Sequence, residues 1–218
     1  MERTINVRGV GSLRRKPDYV VLALELEAKD EEYGRAVDRS SEQIGELTAA
    51  LERAGFPGEE LKTSSYQVRT DYRSEQDEKG NYRQVFDGYV YHTGLRLAFD
   101  FSPSALNRAL SAVGETTVRP EVNISFTLRD PGEANAELLR AACQNAREKA
   151  EVLCQAAGVR LGRLLRVEYD WSEPSVRSRS SFDGAVAGIG LMKNVFRPEM
   201  APEDVELRDS AGFVWEID

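Results

Sequence analysis

The stretch from Thr4 to Ala28 contains two runs in which apolar and polar residues alternate. In the second run the apolar side chains of Val20, Leu22, Leu24 and Leu26 recur at every other position. Period-two alternation over eight residues predicts a β-strand with one buried face. A Gly-x-Gly and a basic turn ending in Pro17-Asp18 join the runs. We therefore expect two strands that pair with each other around this bend.

The Gly-x-Gly at Gly9 and Gly11 raises the question of a phosphate-binding loop. A dinucleotide fingerprint needs a third glycine and a helix directly after it. Another strand pattern follows here instead, so we interpret the glycines as the end of the first strand. We expect no nucleotide site and no cofactor.

Three stretches have the periodicity of amphipathic helices. The first follows the acidic residues 30–32, runs for about six turns and stops at Gly55. A short helix starts at Ser102-Pro103 and ends at Gly114. The third extends from Asp130-Pro131 to Gly158 and carries an alanine-rich stripe, which predicts a close approach to its neighbour.

Further strand patterns lie at 61–72, 82–101, 122–128, 165–169 and 205–217. The apolar phase of the second of these changes at Gly88, which predicts a β-bulge there. The acidic tip at 74–81 is interpreted as a solvated turn, and no metal site is expected. The predicted fold class is α+β, an antiparallel β-sheet with two long helices and one short helix packed on it, in a single domain.

Composition limits the partners and the compartment of the protein. A net charge of -8 over 218 residues repels a phosphate backbone, so we expect no nucleic acid partner. No window approaches the roughly 20 apolar residues that span a bilayer. Met1-Glu2-Arg3 leads straight into a strand pattern without the apolar core of a signal peptide, which predicts a cytoplasmic protein.

Residues 170–204 interrupt the alternating patterns and are predicted to form a long irregular loop. The loop contains an apolar stretch that is more typical of a protein contact than of a catalytic loop. Its candidate interface residues are Gly184, Val186, Ile189, Leu191 and Met192. A second candidate interface is the basic turn of Arg14, Arg15 and Lys16, which is expected to meet a neighbour's acidic surface or else to be solvated.

His92 is the only histidine and falls on the polar face of its strand with Arg96 and Asp100. These three residues form a candidate ligand site, and Tyr66, Tyr72 and Tyr89 are an alternative set. No serine or cysteine lies at a recognisable nucleophile elbow, so no catalytic residue is assigned.

Cys143 and Cys154 fall in one predicted helix, where eleven residues span about 16 Å, too far for a disulfide between them. We interpret both as small buried hydrophobic residues, with intersubunit pairing or redox sensing as the alternative.

A series of short motifs, each weak by itself, resembles the SIMPL-domain family over nearly the whole chain. The motifs are Ile5-x-Val7-x-Gly9-x-Gly11, Pro17-Asp18, Leu61-Lys62-Thr63-Ser64-Ser65-Tyr66, Gly88-Tyr89-Val90-Tyr91, Ile124-Ser125-Phe126-Thr127-Leu128, the helix from Arg140 to Gly158, Leu161-Gly162 and Phe213-Val214-Trp215-Glu216-Ile217. The resemblance implies an α+β fold that assembles into hollow, ring-like homo-oligomers without established catalytic residues. It also implies relatives among bacterial immunogenic envelope proteins and proteins linked to oxidative-stress defence.

These observations favour a non-enzymatic, self-assembling SIMPL-domain protein with a stress-related role. Two alternatives stay open. One is a small-molecule-binding protein or enzyme with a pocket between sheet and helices. The other is an adaptor that recruits a protein partner through the 170–204 loop.

Overall fold

The computed structural model describes residues 3–76, 80–169, 176–185 and 201–218. Within these ranges the chain forms three helices, eight strands and one 3-10 turn at Gly58–Glu60. The strands are β1 (Thr4–Arg15), β2 (Tyr19–Asp30), β3 (Lys62–Gln76), β4 (Tyr82–Asp100), β5 (Glu121–Thr127), β6 (Leu161–Glu168), β7 (Ser181–Ala185) and β8 (Val205–Ile217). The helices are α1 (Tyr33–Arg53), α2 (Pro103–Glu115) and α3 (Pro131–Ala157).

The chain divides into two compact units. The three-stranded unit consists of Met1–Pro17, Thr127–Arg179 and Pro202–Asp218, and its sheet has the strand order β1-β8-β6. The five-stranded unit consists of Asp18–Phe126 and Ser180–Ala201, with the order β3-β4-β2-β5-β7. The predicted α+β class is confirmed, although the strands form two sheets where the sequence predicted one.

The two strands of the opening stretch do not pair with each other as predicted. β1 pairs antiparallel with β8, from Thr4 opposite Glu216 to Arg15 opposite Val205. β2 pairs antiparallel with β4, and the two strands belong to different sheets. The alternating pattern specifies a strand and its buried face, but it does not specify the partner strand.

The three-stranded unit has its core between α3 and the sheet. Ala142, Ala146 and Ala150 of α3 are fully buried, as the predicted alanine stripe requires. Ala142 and Ala146 face β1 at Gly9 and Gly11, which lie in the middle of the strand instead of ending it. A Cβ atom on Gly9 would lie 2.0 Å from the carbonyl oxygen of Ala142. The two glycines therefore let the helix backbone approach the strand.

The ends of α3 follow the predicted signals. The Asp130 carboxylate accepts hydrogen bonds from the backbone N–H groups of Gly132 (2.9 Å) and Glu133 (3.1 Å), with Pro131 at the first helical position. Such a cap satisfies backbone donors that have no partner inside the helix. Gly158 ends the helix in the left-handed conformation, at φ 71°.

The five-stranded unit has a larger core between its sheet and the two helices α1 and α2. The core joins alternate residues of β2 and β4 with leucines of both helices, among them the fully buried Leu22, Leu47, Leu97 and Leu106. A buried hydroxyl pair also joins α1 to β4, where the Oγ of Ser40 lies 3.0 Å from the Oγ1 of Thr93. The spacing of apolar residues thus predicted the helix faces correctly.

The predicted bulge in β4 is confirmed. Asp71 lies opposite Gly88 and Tyr72 lies opposite Phe86, which leaves Asp87 as the extra residue. Gly88 has a φ of 118°, a conformation that favours glycine, and a Cβ there would lie 2.6 Å from the carbonyl oxygen of Asp30. Because of the bulge, Phe86 before it and Tyr89 after it lie on the same face of β4.

The segment 170–204, predicted to be irregular, contains strand β7. Ser181–Ala185 pairs antiparallel with β5, from Ser181 opposite Ser125 to Ala185 opposite Glu121. A five-residue strand with two small residues at its end has no clear alternation, so its pairing depends on β5 and not on its own pattern.

Candidate interaction surfaces

The outer part of the β3–β4 hairpin, residues 66–76 and 82–91, has two faces of different chemistry, and we call it the hairpin arm. Opposed residues of an antiparallel pair lie on the same face of the sheet. Tyr72 is opposed to Phe86 and Val68 to Tyr91, so these side chains share one face. Every residue of β3 on this face between positions 66 and 76 is uncharged.

Aromatic rings cover this uncharged face of the hairpin arm. Tyr72 packs edge-on against Phe86 with ring centroids 6.0 Å apart, and Phe86 packs against Tyr89 at 5.3 Å. Tyr66 packs against Tyr91 at 4.7 Å. A hydrogen bond with Tyr66 and burial raise the pKa of Tyr91 to about 12, so this hydroxyl stays protonated at neutral pH. Tyr66 and Tyr72 remain 55% and 53% exposed.

The opposite face of the hairpin arm carries a network of ion pairs. Lys29 contacts the carboxylates of Asp71, at 2.8 Å, and of Asp87. Glu75 contacts Arg73 at 2.8 Å and Arg83 at 3.3 Å. Hydrogen bonds from Lys29 hold the pKa of Asp71 below its ordinary value, and those from Arg73 and Arg83 do the same for Glu75. These groups are therefore charged at neutral pH.

A second surface with unusual exposure lies on β6, one of the two edge strands of the three-stranded sheet. Leu164 is opposed to Trp215, and Val167 is opposed to Phe213, in the central strand β8. Trp215 and Phe213 are buried in the core beneath α3, whereas Leu164 and Val167 are 49% and 50% exposed. We call these two β6 residues the apolar ledge. The apolar ledge therefore lies on the core-facing side of the sheet, next to the buried residues of β8, but is itself left half-exposed.

The predicted ligand residues His92, Arg96 and Asp100 lie on β4 at intervals of four residues. Four residues of strand span about 13 Å, so the three side chains do not converge. His92 has Glu27 and Gln67 as neighbours across the sheet, with its Nδ1 3.8 Å from a Glu27 carboxylate oxygen. Its face is opposite to that of the tyrosines on the hairpin arm, so the two candidate sets do not form one site.

Two surface grooves contain none of the predicted ligand residues. One, of about 350 Å³, is lined by residues of α1 and α2. The other, of about 650 Å³, lies on the three-stranded sheet beside Arg8 and Ser210. Within the described ranges, no three His, Cys, Asp or Glu side chains come close enough to share a metal ion.

The basic turn has acidic partners within its own chain. Arg14 forms an ion pair with Glu206 at 2.8 Å, and Arg15 forms one with Glu137. Lys16 is exposed directly after β1. The intrachain carboxylates neutralise much of the positive field that this turn would present to a neighbour.

The candidate residues of the 170–204 segment are only partly described. Gly184 lies in β7 opposite Val122. Val186, Ile189, Leu191 and Met192 lie outside the described residues.

The cysteines differ in burial. Cys154 is buried in the core side of α3, as predicted, whereas Cys143 is exposed and both are free. The interpretation of Cys143 as a buried residue was wrong, because it is adjacent to the alanine stripe but turned about 100° away from Ala142.

A family model described as SIMPL, a protein of unknown function (DUF541), matches residues 5–215. The chain belongs to the SIMPL family. This SIMPL chain is 25% identical over 170 residues to the 26 kDa periplasmic immunogenic proteins of Brucella melitensis and of Brucella abortus. The aligned region covers 75% of the chain and 65% of each relative.

The relatives bear on the compartment of the SIMPL chain. Their names place those two proteins in the periplasm, and they give no support to the cytoplasmic location predicted from the N-terminal residues. Among the described helices, none combines the length and the apolar content needed to cross a membrane.

Both unusual surfaces were missed by sequence reasoning. Along β3, Tyr66 and Tyr72 alternate with Arg69, Asp71 and Arg73. This alternation by itself predicts that the hairpin arm has one aromatic and one charged face. That pattern does not reveal that β3 is an edge strand. The exposure of Leu164 and Val167 has no local signal, because alternating apolar residues ordinarily indicate a buried face.

Proposed function

We propose that this SIMPL chain is a non-enzymatic protein that works as a homo-oligomer. The observation that carries the proposal is the apolar ledge, which leaves two side chains of a core-facing sheet surface half-exposed on an edge strand. Contiguous apolar surface on a folded protein marks an interaction site. An edge strand offers unpaired backbone groups at the same place.

The neighbourhood of the ledge supports this proposal. Val152 and Leu153, near the end of α3, are also exposed, and α3 packs on the same face of the sheet that carries the ledge. Burying a Leu or Val side chain contributes about 1.5–3 kcal/mol when it is fully exposed beforehand. A neighbouring copy that covers these residues completes a core that the chain leaves open.

The physiological setting is part of the same proposal. The relatives are named as periplasmic proteins, so we infer that this chain assembles in the cell envelope. The family resemblance leads us to infer a role in oxidative-stress defence. Fractionation of cells that make the protein tests the compartment. Survival of a deletion strain under peroxide, with and without the restored gene, tests the stress role.

The proposal predicts that the purified chain is oligomeric at micromolar concentration. Replacing both ledge residues, Leu164→Thr with Val167→Thr, is expected to weaken association about tenfold, because half-exposed side chains bring roughly half of their full transfer energy. Threonine is β-branched, like valine, and therefore suits a strand at both positions. Multi-angle light scattering and sedimentation over a dilution series measure the change.

Val10→Thr is the matched control, because Val10 is exposed to a similar degree on β1 but faces the other side of the sheet. It should leave association unchanged. A wild-type chain that is monomeric throughout the dilution series would refute the proposal.

A further inference from the structure

β3 is an edge strand whose residues are mostly exposed. It is the first strand of the five-stranded sheet and runs for 15 residues. All but three of these residues are exposed. Edge strands of soluble proteins are normally short, covered or interrupted by proline, since their free N–H and C=O groups pair with any available strand. β3 contains no proline.

The charges on β3 alternate in sign. Arg69, Asp71, Arg73 and Glu75 occupy successive positions of one face of the hairpin arm. A row of like charges would keep a second copy of the strand away, whereas alternating charges favour the registers in which opposite signs meet. The charge pattern therefore permits two copies of β3 to pair and limits the registers in which they do so.

Antiparallel pairing of two β3 strands has a small set of registers. Opposed residues must lie on the same face, so the two-fold axis passes midway between one residue and its own copy, and we call this an axis through that residue. An axis through Tyr72 places Arg69 opposite Glu75 and Asp71 opposite Arg73, each twice. Every charged residue from 69 to 75 then faces the opposite charge.

The neighbouring registers that use a charged residue as axis are repulsive. An axis through Asp71 opposes that residue to its own copy and Arg69 to Arg73. An axis through Arg73 opposes that residue to its own copy and Asp71 to Glu75. Like charges in direct cross-strand pairs are destabilising, so the charge pattern disfavours both registers.

We propose that a second copy of this chain binds at β3, with the two β3 strands antiparallel about a two-fold axis through Tyr72. The paired segment is 68–76, and the two five-stranded sheets become continuous through it. The inference rests on the proposed self-assembly and assigns one of its interfaces.

Contacts inside the chain prepare β3 for this pairing. Ion pairs with Lys29, Arg73 and Arg83 hold the carboxylates of Asp71 and Glu75 on the charged face. Arg69 has no ion pair with a described residue of its own chain, and in the dimer it meets the partner's Glu75. On the other face the two exposed Tyr72 rings lie together at the axis, which extends the aromatic cluster across the interface.

A disulfide test reads the register directly. Opposed residues have Cβ atoms about 4.5–5.5 Å apart, so Tyr72→Cys should cross-link the dimer under mild oxidation. The background carries Cys143→Ser, which removes the exposed native thiol. Thr70→Cys lies on the same face, but its two copies would be about 13 Å apart along the strands and should not cross-link.

A mixture of the Thr70→Cys and Ser74→Cys proteins provides the positive counterpart, because Thr70 is opposed to the partner's Ser74 in this register. Non-reducing electrophoresis should show a covalent dimer for Tyr72→Cys alone and for the mixture. Equal cross-linking of Thr70→Cys alone, or no cross-linking of Tyr72→Cys, would overturn the assigned register.

A charge swap tests the same pairs without oxidation. Arg69→Glu places two pairs of like charges in the interface and should weaken association about tenfold. Combining it with Glu75→Arg restores opposite charges only with the axis at Tyr72, and it should recover affinity to within about threefold of wild type. Lys62→Glu is the control, since it changes the net charge equally but lies outside the paired segment.

The outcomes separate the two proposals. A monomeric wild-type chain removes both the proposed function and this interface. An oligomeric wild-type chain that neither cross-links through Tyr72→Cys nor responds to Arg69→Glu removes only the interface at β3. Weaker association in Arg69→Glu without recovery in the double swap also overturns the register.

Discussion

Replacing Gly9 with alanine should destabilise the protein by about 3 kcal/mol, the upper end of the usual cost of overpacking a core. The added Cβ would lie 2.0 Å from the carbonyl oxygen of Ala142 and 2.8 Å from the Cβ of Ala146. Both neighbours belong to α3, and the nearest atom is helix backbone. A backbone atom inside a hydrogen-bonded helix cannot move aside as the end of a flexible side chain can.

Gly11→Ala should have a similar effect, because its Cβ would lie 2.1 Å from the carbonyl oxygen of Leu138. Leu138 lies one turn before Ala142, so the two glycines follow the helix along its length. To relieve either clash the whole helix must lift from β1, and the contacts of Ala142, Ala146 and Ala150 with the sheet are lost together. The double substitution is accordingly expected to prevent stable packing of α3.

Urea denaturation followed by circular dichroism measures these changes, with Gly45→Ala as the matched control. Gly45 is exposed in α1, and apart from the adjoining backbone of its own helix no atom lies within 4 Å of the Cβ it would gain. Alanine there should stabilise the protein by about 0.5–1 kcal/mol through helix propensity. A Gly9→Ala variant as stable as wild type would contradict the close helix-to-strand contact.

The two glycines show why only part of this packing was predictable. The alanine stripe of α3 correctly predicted a close neighbour, since the short side chain of alanine lets the backbone of another element approach the helix. The Gly-x-Gly of β1 was interpreted as the end of a strand. Nothing in the local sequence indicates that a helix more than 120 residues later lies against it, so only the fold explains the glycines.

The same limit separates the helices and strands from their arrangement. Caps at Asp130 and Gly158 and the phase change at Gly88 act within a few residues, and each was predicted. The partners of β1 and β2 depend on residues far along the chain, and their predicted pairing was wrong. Which strands pair also determines which strand lies at the edge of a sheet and which side chains stay exposed. For this reason neither β3 nor the apolar ledge was recognised as a candidate surface.

Ser40→Ala should destabilise the protein by about 2 kcal/mol, within the range for a buried hydroxyl that loses its partner. Ser40 and Thr93 are 1% and 0% exposed, and their hydroxyl oxygens lie 3.0 Å apart between α1 and β4. Among the described residues each hydroxyl has the other as its hydrogen-bond partner. Alanine at position 40 leaves the buried Thr93 hydroxyl without this partner.

The double substitution Ser40→Ala with Thr93→Val should be less destabilising than the sum of the two single changes, by about 1–2 kcal/mol. Valine has nearly the shape of threonine, so the double variant removes both polar groups and leaves no hydroxyl without a partner. Ser41→Ala is the control, because the exposed Ser41 hydroxyl donates to the carbonyl oxygen of Val37 on the helix surface and should matter by less than about 0.5 kcal/mol. Additive effects of the two core changes would show that the hydroxyls do not depend on each other. The contact between α1 and β4 would then depend on the apolar packing of the core, to which Leu47 and Leu95 belong.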